Sequence, residues 1–243
     1  MTYCVGLKID RGLVFMSDTR TNAGMDSIST FRKMHVWEQP GERVIVLMSA
    51  GNLATTQAVV SLLDERSKAV SERHQTVMET PSMYQTARRI GDTVKEVIAS
   101  SAAVGEKADS YFNASFILGG QIKGSEPRLF MIYPEGNFIE STEDTPFFQI
   151  GETKYGKPII IRAYDRAASF AEAVKLMLVS FDSTLKSNLS VGLPLDLLLY
   201  EHDSFKTGAK RRIGQDDPYY RTISEGWSEA LKAAFQQLPD FPG

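Results

Sequence analysis

The most constraining feature of this sequence is the order of its strand-like and helix-like segments. A first block of strand patterns runs to Ala50, a block with helical spacing follows, and strand and helical patterns then alternate twice more. Blocks of strands separated by helices do not fit a doubly wound parallel sheet, in which nearly every strand is followed by a crossover helix. The order favours two antiparallel sheets stacked on each other, with helices on the outside.

Four strands are predicted before the first helix. The opening strand alternates bulky and small residues, which places Thr2 and Cys4 on the same face. The predicted strands are residues 2–7, Leu13–Met16, Phe31–Glu38 and Arg43–Ala50, and Thr21–Thr30 is predicted to be a turn-rich loop.

The rest of the chain alternates between the two patterns. Helices are predicted from Asn52 to about Val70, from Pro81 onward, at Ala167–Leu185 and at Pro218–Leu238, and strands at Tyr111–Ile122, Arg128–Tyr133, Asn137–Glu140, Phe147–Gly151 and Leu195–His202. No Pro-, Gly- or Ser-rich linker divides the sequence, so we expect one domain that spans residues 1–243.

The charge balance argues against a nucleic-acid partner. The chain has 27 Lys and Arg residues against 30 Asp and Glu residues, a formal net charge of -3. Binding to a phosphate backbone needs a basic face, which this composition does not favour. No apolar run approaches the ~20 residues that cross a bilayer, so no membrane partner is expected either.

Cysteine and histidine usage limits the remaining classes of protein. Cys4 is the single cysteine, and the opening residues carry no charged leader or apolar signal stretch, which favours a reducing cytoplasm. His35, His74 and His202 are scattered, and neither metal-ligand spacing nor a nucleotide-binding motif is present. We therefore expect no metal and no cofactor. An isolated cysteine on a strand is usually a buried apolar residue, so Cys4 is not favoured as a nucleophile.

Thr2 is a candidate nucleophile because removal of Met1 would leave its α-amine beside its own hydroxyl. An α-amine with a pKa of about 8 can accept the hydroxyl proton. Asp18 follows the second strand and Lys33 begins the third, and a buried lysine held by an aspartate can stay cationic and activate a hydroxyl. Each residue alone also has an ordinary interpretation. Thr2 is simply the first residue after the start codon, and Asp18 and Lys33 are solvated charges at strand ends or members of a structural ion pair.

Several motifs together resemble the proteasome β-subunit and HslV family. They are Thr2, Ser17-Asp18-Thr19-Arg20, Lys33 and the segment from Ala50 to Gln57, and the pieces SDTRTNAG, FRKMHV, SAGNLATTQ, IGETKYGKP and NLSVGLP resemble the bacterial Anbu group. The resemblance implies the αββα sandwich of the N-terminal-nucleophile hydrolases, with threonine peptidase or amide hydrolase activity. It also implies self-association into a ring-like or open helical homo-oligomer.

The resemblance assigns a role to each matching position. Thr2 would attack, Lys33 would tune it, Asp18 would hold the lysine, the Gly51 N–H would donate to the oxyanion, and Ser190 would support the threonine amine. Thr21, Phe31, Ser49 and Leu53 would line the first specificity pocket. If the resemblance is set aside, Gly51 is interpreted equally well as an ordinary glycine at the entry to a helix.

The chain departs from the family pattern at two supports of the threonine amine. Glu152 stands where the family has a serine, and Ser187-Asn188-Leu189-Ser190 keeps the serine of the family motif but lacks its aspartate. Fewer supporting hydrogen bonds would weaken catalysis. A catalytically weak or inactive assembly subunit and a small-molecule amidase therefore remain alternatives, and an unfoldase partner is left open.

Two surface features have more than one interpretation. The basic run Lys206–Arg212 predicts a solvated face or a contact between subunits. Trp227, Leu231 and Phe235 recur at helical spacing in the last helix, which favours core packing, with an oligomer contact as the alternative.

Overall fold

The computed structural model of the chain describes residues 2–22, 28–68, 76–102 and 112–242. Within these ranges the strands are β1 Tyr3–Ile9, β2 Gly12–Asp18, β3 Arg20–Asn22, β4 Ile28–Thr30, β5 Met34–Gln39, β6 Arg43–Gly51, β7 Ala114–Ile122, β8 Arg128–Ile132, β9 Phe138–Glu140, β10 Phe147–Gly151, β11 Leu195–Glu201 and β12 Lys210–Ile213. The helices are α1 Leu53–Lys68, α2 Met83–Ala102, α3 Lys157–Ala163, α4 Phe170–Ser187 and α5 Pro218–Gln236.

Ten of these strands form two five-stranded antiparallel sheets. The first sheet has the order β10-β1-β2-β11-β12, and the second has the order β5-β6-β7-β8-β9. The sheets pack face to face, with α1 and α2 on the outer face of the second sheet and α4 on that of the first. The expected four-layer αββα sandwich is confirmed.

Three apolar clusters fill the spaces between the layers. One lies between the sheets and includes Cys4, Phe15 and Met48, while the other two lie between each sheet and its helices. β1 and β2 contribute to two of these clusters, since alternate side chains of a strand point to opposite faces. The strands that carry Thr2 and Asp18 at their ends are therefore fixed on both faces.

The structure corrects several sequence-based boundaries. Thr21–Thr30 contains the short hairpin β3–β4, whose strands are too short to show a period. Strand β5 begins at Met34 rather than Phe31. The basic run forms part of edge strand β12, and α3, with Pro158 in its first turn, was not predicted. The predicted positions Val70 and Tyr111 lie outside the described residues.

Candidate active site

A buried ion pair joins Asp18 at the end of β2 to Lys33, just before β5. Lys33 Nζ lies 2.7 Å from Asp18 Oδ1, and the two side chains are only 6% and 0% exposed. Lys33 Nζ also donates to the carbonyl oxygen of Arg20 at 2.7 Å. Lys33 directly precedes β5, and its side chain reaches the end of the other sheet.

Asp18 connects this lysine to the first strand. Its Oδ1 atom accepts the N–H of Tyr3 at 2.9 Å, and its Oδ2 atom accepts the N–H of Gly192 at 3.4 Å. Burial raises the pKa of Asp18, and the Lys33 ammonium and the two backbone donors counteract that rise. The carboxylate is thus shared by Lys33 and the residue that follows Thr2.

Thr2 precedes β1 and is 8% exposed. Its carbonyl oxygen accepts the N–H of Glu152 at 2.6 Å. The thiol of Cys4 donates to the carbonyl oxygen of Ser49 at 3.6 Å, so Cys4 faces the second sheet. Because alternate side chains of a strand share a face, we expect the Thr2 hydroxyl to point toward that sheet as well.

Cys4 itself packs between the sheets. It is fully buried, and burial raises the pKa of its thiol. A thiol whose anion is disfavoured in this way is a poor nucleophile.

Gly51 ends β6 directly before helix α1, and its backbone is exposed. Its φ of 117° favours glycine, and a Cβ there would lie 2.2 Å from the carbonyl oxygen of Asn113. Ser49 donates its N–H to Lys33, whereas Asn52 donates to Asn113 on the opposite side. By alternation the Gly51 N–H points to the Lys33 side, where the N-terminus of α1 adds positive potential.

Glu152 and Asn188, which the sequence suggested only as departures from the family pattern, form a buried pair next to Thr2. Asn188 Nδ2 donates to Glu152 Oε2 at 2.8 Å, and the Lys154 N–H donates to Oε1 at 2.8 Å. Burial opposes ionisation of Glu152, but the hydrogen bonds from Lys154, Asn188 and Thr153 outweigh it and lower the pKa of the carboxyl. The signal in the sequence was that Glu152 and the segment of Asn188 stand at two family positions that support the threonine amine.

The other assigned positions are less completely assembled. The Ser190 N–H donates to Asn188 Oδ1 at 3.0 Å, so Ser190 belongs to the loop that orients Asn188. Ser49 is buried beside Lys33, and the Phe31 N–H donates to Thr19 at 2.9 Å on the approach to the lysine. Thr21 pairs with Ser29 in the β3–β4 hairpin, and Leu53 is the first residue of α1. The support of the threonine amine by Ser190 stays a prediction, and so does the pocket role of the other four residues.

Two further observations concern membranes and metal ions. Within the described ranges, no helix is long and apolar enough to span a bilayer. No group of three or more His, Cys, Asp or Glu side chains in the same ranges is arranged to hold a metal ion.

A comparison with models of known protein families identifies the family of this chain. A family model described as proteasome subunit matches residues 2–193, which is more than half of the sequence. The chain belongs to the proteasome subunit family. Among curated proteins, none matches it significantly.

Solved structures narrow the relationship within the proteasome subunit family. The chain is 54% identical to an Anbu (Gly-1) mutant from Hyphomicrobium sp. strain MC1, with a TM-score of 0.92 and 100% of both chains covered. It is 52% identical to Anbu (ancestral beta-subunit) from Yersinia bercovieri, with a TM-score of 0.92 over 99% of this chain and 100% of that one.

A third similar structure bears on assembly. It is described as the helical assembly of the Anbu complex from Pseudomonas aeruginosa, is 45% identical, and has a TM-score of 0.92 over 99% of this chain and 98% of that one. The resemblance to the Anbu group is confirmed, and an Anbu relative of this proteasome-family chain self-associates.

Proposed function

We propose that the chain is a threonine-type peptidase or amide hydrolase in which Thr2 is the nucleophile once Met1 has been removed. The observation that carries the proposal is the shared carboxylate of Asp18. It binds the buried Lys33 ammonium and, at the same time, the backbone N–H that directly follows Thr2. A cation is thereby held close to the start of β1, where it favours the anionic form of a hydroxyl.

The reaction needs only groups of the chain and water. The Thr2 hydroxyl oxygen attacks the carbonyl carbon of the substrate, its proton moves to the α-amine of Thr2, and a C–O bond forms. When the C–N bond breaks, the amine leaving group takes that proton and an ester to Thr2 remains. Water then hydrolyses the ester and restores the hydroxyl and the amine.

The oxyanion of the tetrahedral intermediate would be stabilised at the Gly51 N–H. Gly51 has no side chain to cover its backbone, and the first turn of α1 follows two residues later. Backbone donors aimed at a developing negative charge are among the larger contributions to acyl-transfer catalysis. The substrate would lie along Ser49, Gly51 and Leu53, with Thr21 and Phe31 on the opposite side of its first pocket.

We expect this site to act inside a homo-oligomer. The exposed side chains of Leu231 and Phe235 give α5 an apolar surface, and the Pseudomonas aeruginosa relative is described as a helical assembly. A shared interior would restrict substrates to extended peptides or small amides. We expect the assembly to work in a reducing cytoplasm. The single-domain organisation is part of the same proposal.

Intact-mass spectrometry with a threonine-directed β-lactone tests the nucleophile. We expect loss of Met1, addition of one probe to the N-terminal peptide, and no labelling of Thr2→Ala. Thr222→Ala is a matched control, since Thr222 is exposed on α5, and it should label as the wild type does. Retention of Met1 in protein from its native host, or labelling that survives in Thr2→Ala, would contradict the proposal.

Two other functions are tested by the same proteins. The exposed apolar surface on α5 also suits an idle assembly subunit, and turnover of any amide that disappears in Thr2→Ala would exclude that role. A small-molecule amidase would cleave simple acyl amides in preference to a peptide library.

A further inference from the structure

The peptide bond between Thr2 and Tyr3 is held at both of its polar ends. Its carbonyl oxygen accepts the N–H of Glu152 at 2.6 Å, and its N–H donates to Asp18 Oδ1 at 2.9 Å. Tyr3 lies opposite Gly151 in the β1–β10 pair, so the same register places Thr2 opposite Glu152. Glu152 is therefore the neighbour of Thr2 across the sheet.

The loop from Asn188 to Gly192 closes a ring of hydrogen bonds around this peptide. Asn188 Nδ2 donates to the Glu152 carboxylate, and Asn188 Oδ1 accepts the N–H of Ser190 at 3.0 Å. Two residues later, the N–H of Gly192 donates to Asp18. Both carboxylates that flank Thr2 are thus oriented by one short segment.

The Glu152 carboxylate is buried without a cation bound to it. Glu152 is 6% exposed, and its donors among the described residues, the N–H groups of Lys154 and Thr153 and the Asn188 amide, are neutral. No Lys, Arg or His side chain among the described residues is ion-paired with it. These hydrogen bonds and the charge of the exposed Lys154 keep Glu152 ionised, and a carboxylate so held can bind a cation that forms next to it.

We propose that Glu152, oriented by Asn188, is a positioning residue that holds the α-ammonium group of mature Thr2. The α-amine of Thr2 becomes cationic each time it takes the hydroxyl proton, and that cation is the charge that Glu152 lacks. The arrangement resembles a catalytic triad in its logic, since a carboxylate orients the base and stabilises its protonated form. The inference rests on the proposed function, because it needs a free α-amine.

Other charged residues belong to the same hydrogen-bond network around Thr2. The Asp18 carboxylate is neutralised by Lys33 on one side of Thr2, and the exposed Lys154 follows Glu152. Arg20 is directed away, to the carbonyl oxygen of Leu189 at 3.0 Å. Glu152 is consequently the unpaired negative charge nearest to Thr2 among these groups, and its removal should change the amine more than changes at the others.

Glu152→Gln removes the charge with little change of shape. A nearby anion favours the ammonium form, so its loss should lower the pKa of the Thr2 amine by about one unit. The acidic limb of the kcat/KM profile should then move to lower pH. Since glutamine cannot stabilise the ammonium formed in the reaction, the plateau should fall by about tenfold or more.

The amine can be titrated without any turnover. The mature protein is acetylated with trace acetic anhydride across a pH series, esters are removed with hydroxylamine, and the N-terminal peptide is quantified by mass spectrometry. Glu65→Gln serves as the control, because Glu65 is exposed on α1, about 18 Å along the helix from its start. This control should leave the amine pKa unchanged.

The double variant Glu152→Gln/Asn188→Asp exchanges the carboxylate and the amide. It keeps one negative charge and one amide in the pair, so it should restore most of the amine pKa and of the pH profile. A purely structural role for Glu152 would not produce this rescue. If Glu152→Gln does not fold, the double variant alone decides, since the inference requires its amine pKa to be close to that of the wild type.

The outcomes separate the inference from the proposed function. An amine pKa that is equal in the wild type and Glu152→Gln overturns the inference, even if Thr2-dependent turnover is found. A lowered amine pKa without any turnover supports the inference and contradicts the proposed function. Retention of Met1 by the native protein overturns both.

Discussion

Asp18 accepts three hydrogen bonds from the part of the chain that the structure describes, and one of them comes from a cation. The donors are the Lys33 ammonium and the backbone N–H groups of Tyr3 and Gly192. Removing either member of a buried ion pair leaves the other charge without compensation, which typically costs about 3–5 kcal/mol of folding free energy. At the scale of single residues, stability and proposed chemistry therefore depend on the same pair.

Lys33→Met and the double variant Asp18→Asn/Lys33→Met separate these two contributions. We expect Lys33→Met to lower the free energy of unfolding by about 3 kcal/mol, because Asp18 stays buried and unpaired. The double variant should recover most of that loss, since the asparagine that replaces Asp18 is neutral, yet it should not react with the β-lactone. Urea denaturation and labelling by intact mass measure the two effects.

The matched control is the exposed pair Lys232–Glu229 on α5, whose side chains are 71% and 76% exposed. Glu229→Gln should leave both the denaturation midpoint and the labelling unchanged, because solvent screens such pairs. Full labelling of Lys33→Met would contradict the assigned role of the lysine.

Residue types and short motifs were enough to predict Thr2, Asp18, Lys33 and Gly51 as one site. The structure brings Asp18 and Lys33 into contact, although Asp18 ends a strand of one sheet and Lys33 precedes a strand of the other. The family pattern placed Glu152 and the segment of Asn188 beside the threonine amine, but the sequence could not show that the two side chains bond to each other. Their pairing depends on where α4 ends relative to β10, which is a property of packing.

At the scale of elements, Gly151 at the end of β10 controls how the chain passes Thr2. Its φ of 82° favours glycine, and a Cβ there would lie 2.0 Å from the carbonyl oxygen of Thr2. Gly41 has a similar φ of 80°, but a Cβ there would meet no atom within 4 Å. The two glycines share the backbone strain and differ in the contact.

Gly151→Ala should therefore cost more than Gly41→Ala. We expect a loss of roughly 1 kcal/mol for Gly41→Ala, from the left-handed backbone alone, and about 3 kcal/mol for Gly151→Ala, where the β1–β10 pairing must also shift. Labelling of Thr2 should fall only in Gly151→Ala. Equal denaturation midpoints of the two variants would show that the contact with Thr2 does not control this end of the sheet.

The long elements were predictable because their periods are long enough to read. β10 and the start of α5 agree with the prediction, and β7 extends to the predicted Ile122. The hairpin β3–β4 and strand β12 have only three or four residues each, and their pairing comes from neighbours rather than from local preference. The equally short β9 was predicted because the turn signal Pro134–Asn137 precedes it directly and marks the return of the chain to the sheet.

At the scale of the whole molecule, the largest departure from the sequence-based expectation is α5. Core packing was favoured for Leu231 and Phe235, with an oligomer contact as the alternative, and their side chains are 50% and 76% exposed. Leu238 and Phe241 extend the apolar surface beyond the helix, at 65% and 91% exposed. Four large apolar side chains at one end of the chain are typical of a surface that another subunit covers.

Substitution of Phe235 by serine tests whether this surface supports self-association. Burying a phenylalanine contributes about 1.5–3 kcal/mol, so its loss should weaken association by about 10- to 100-fold. Sedimentation velocity should show smaller particles at the same protein concentration, while the denaturation midpoint of the subunit stays close to that of the wild type. Ile161→Ser is the matched control, since Ile161 on α3 is also apolar and 59% exposed. If Ile161→Ser dissociates the assembly and Phe235→Ser does not, subunits associate through α3 rather than α5.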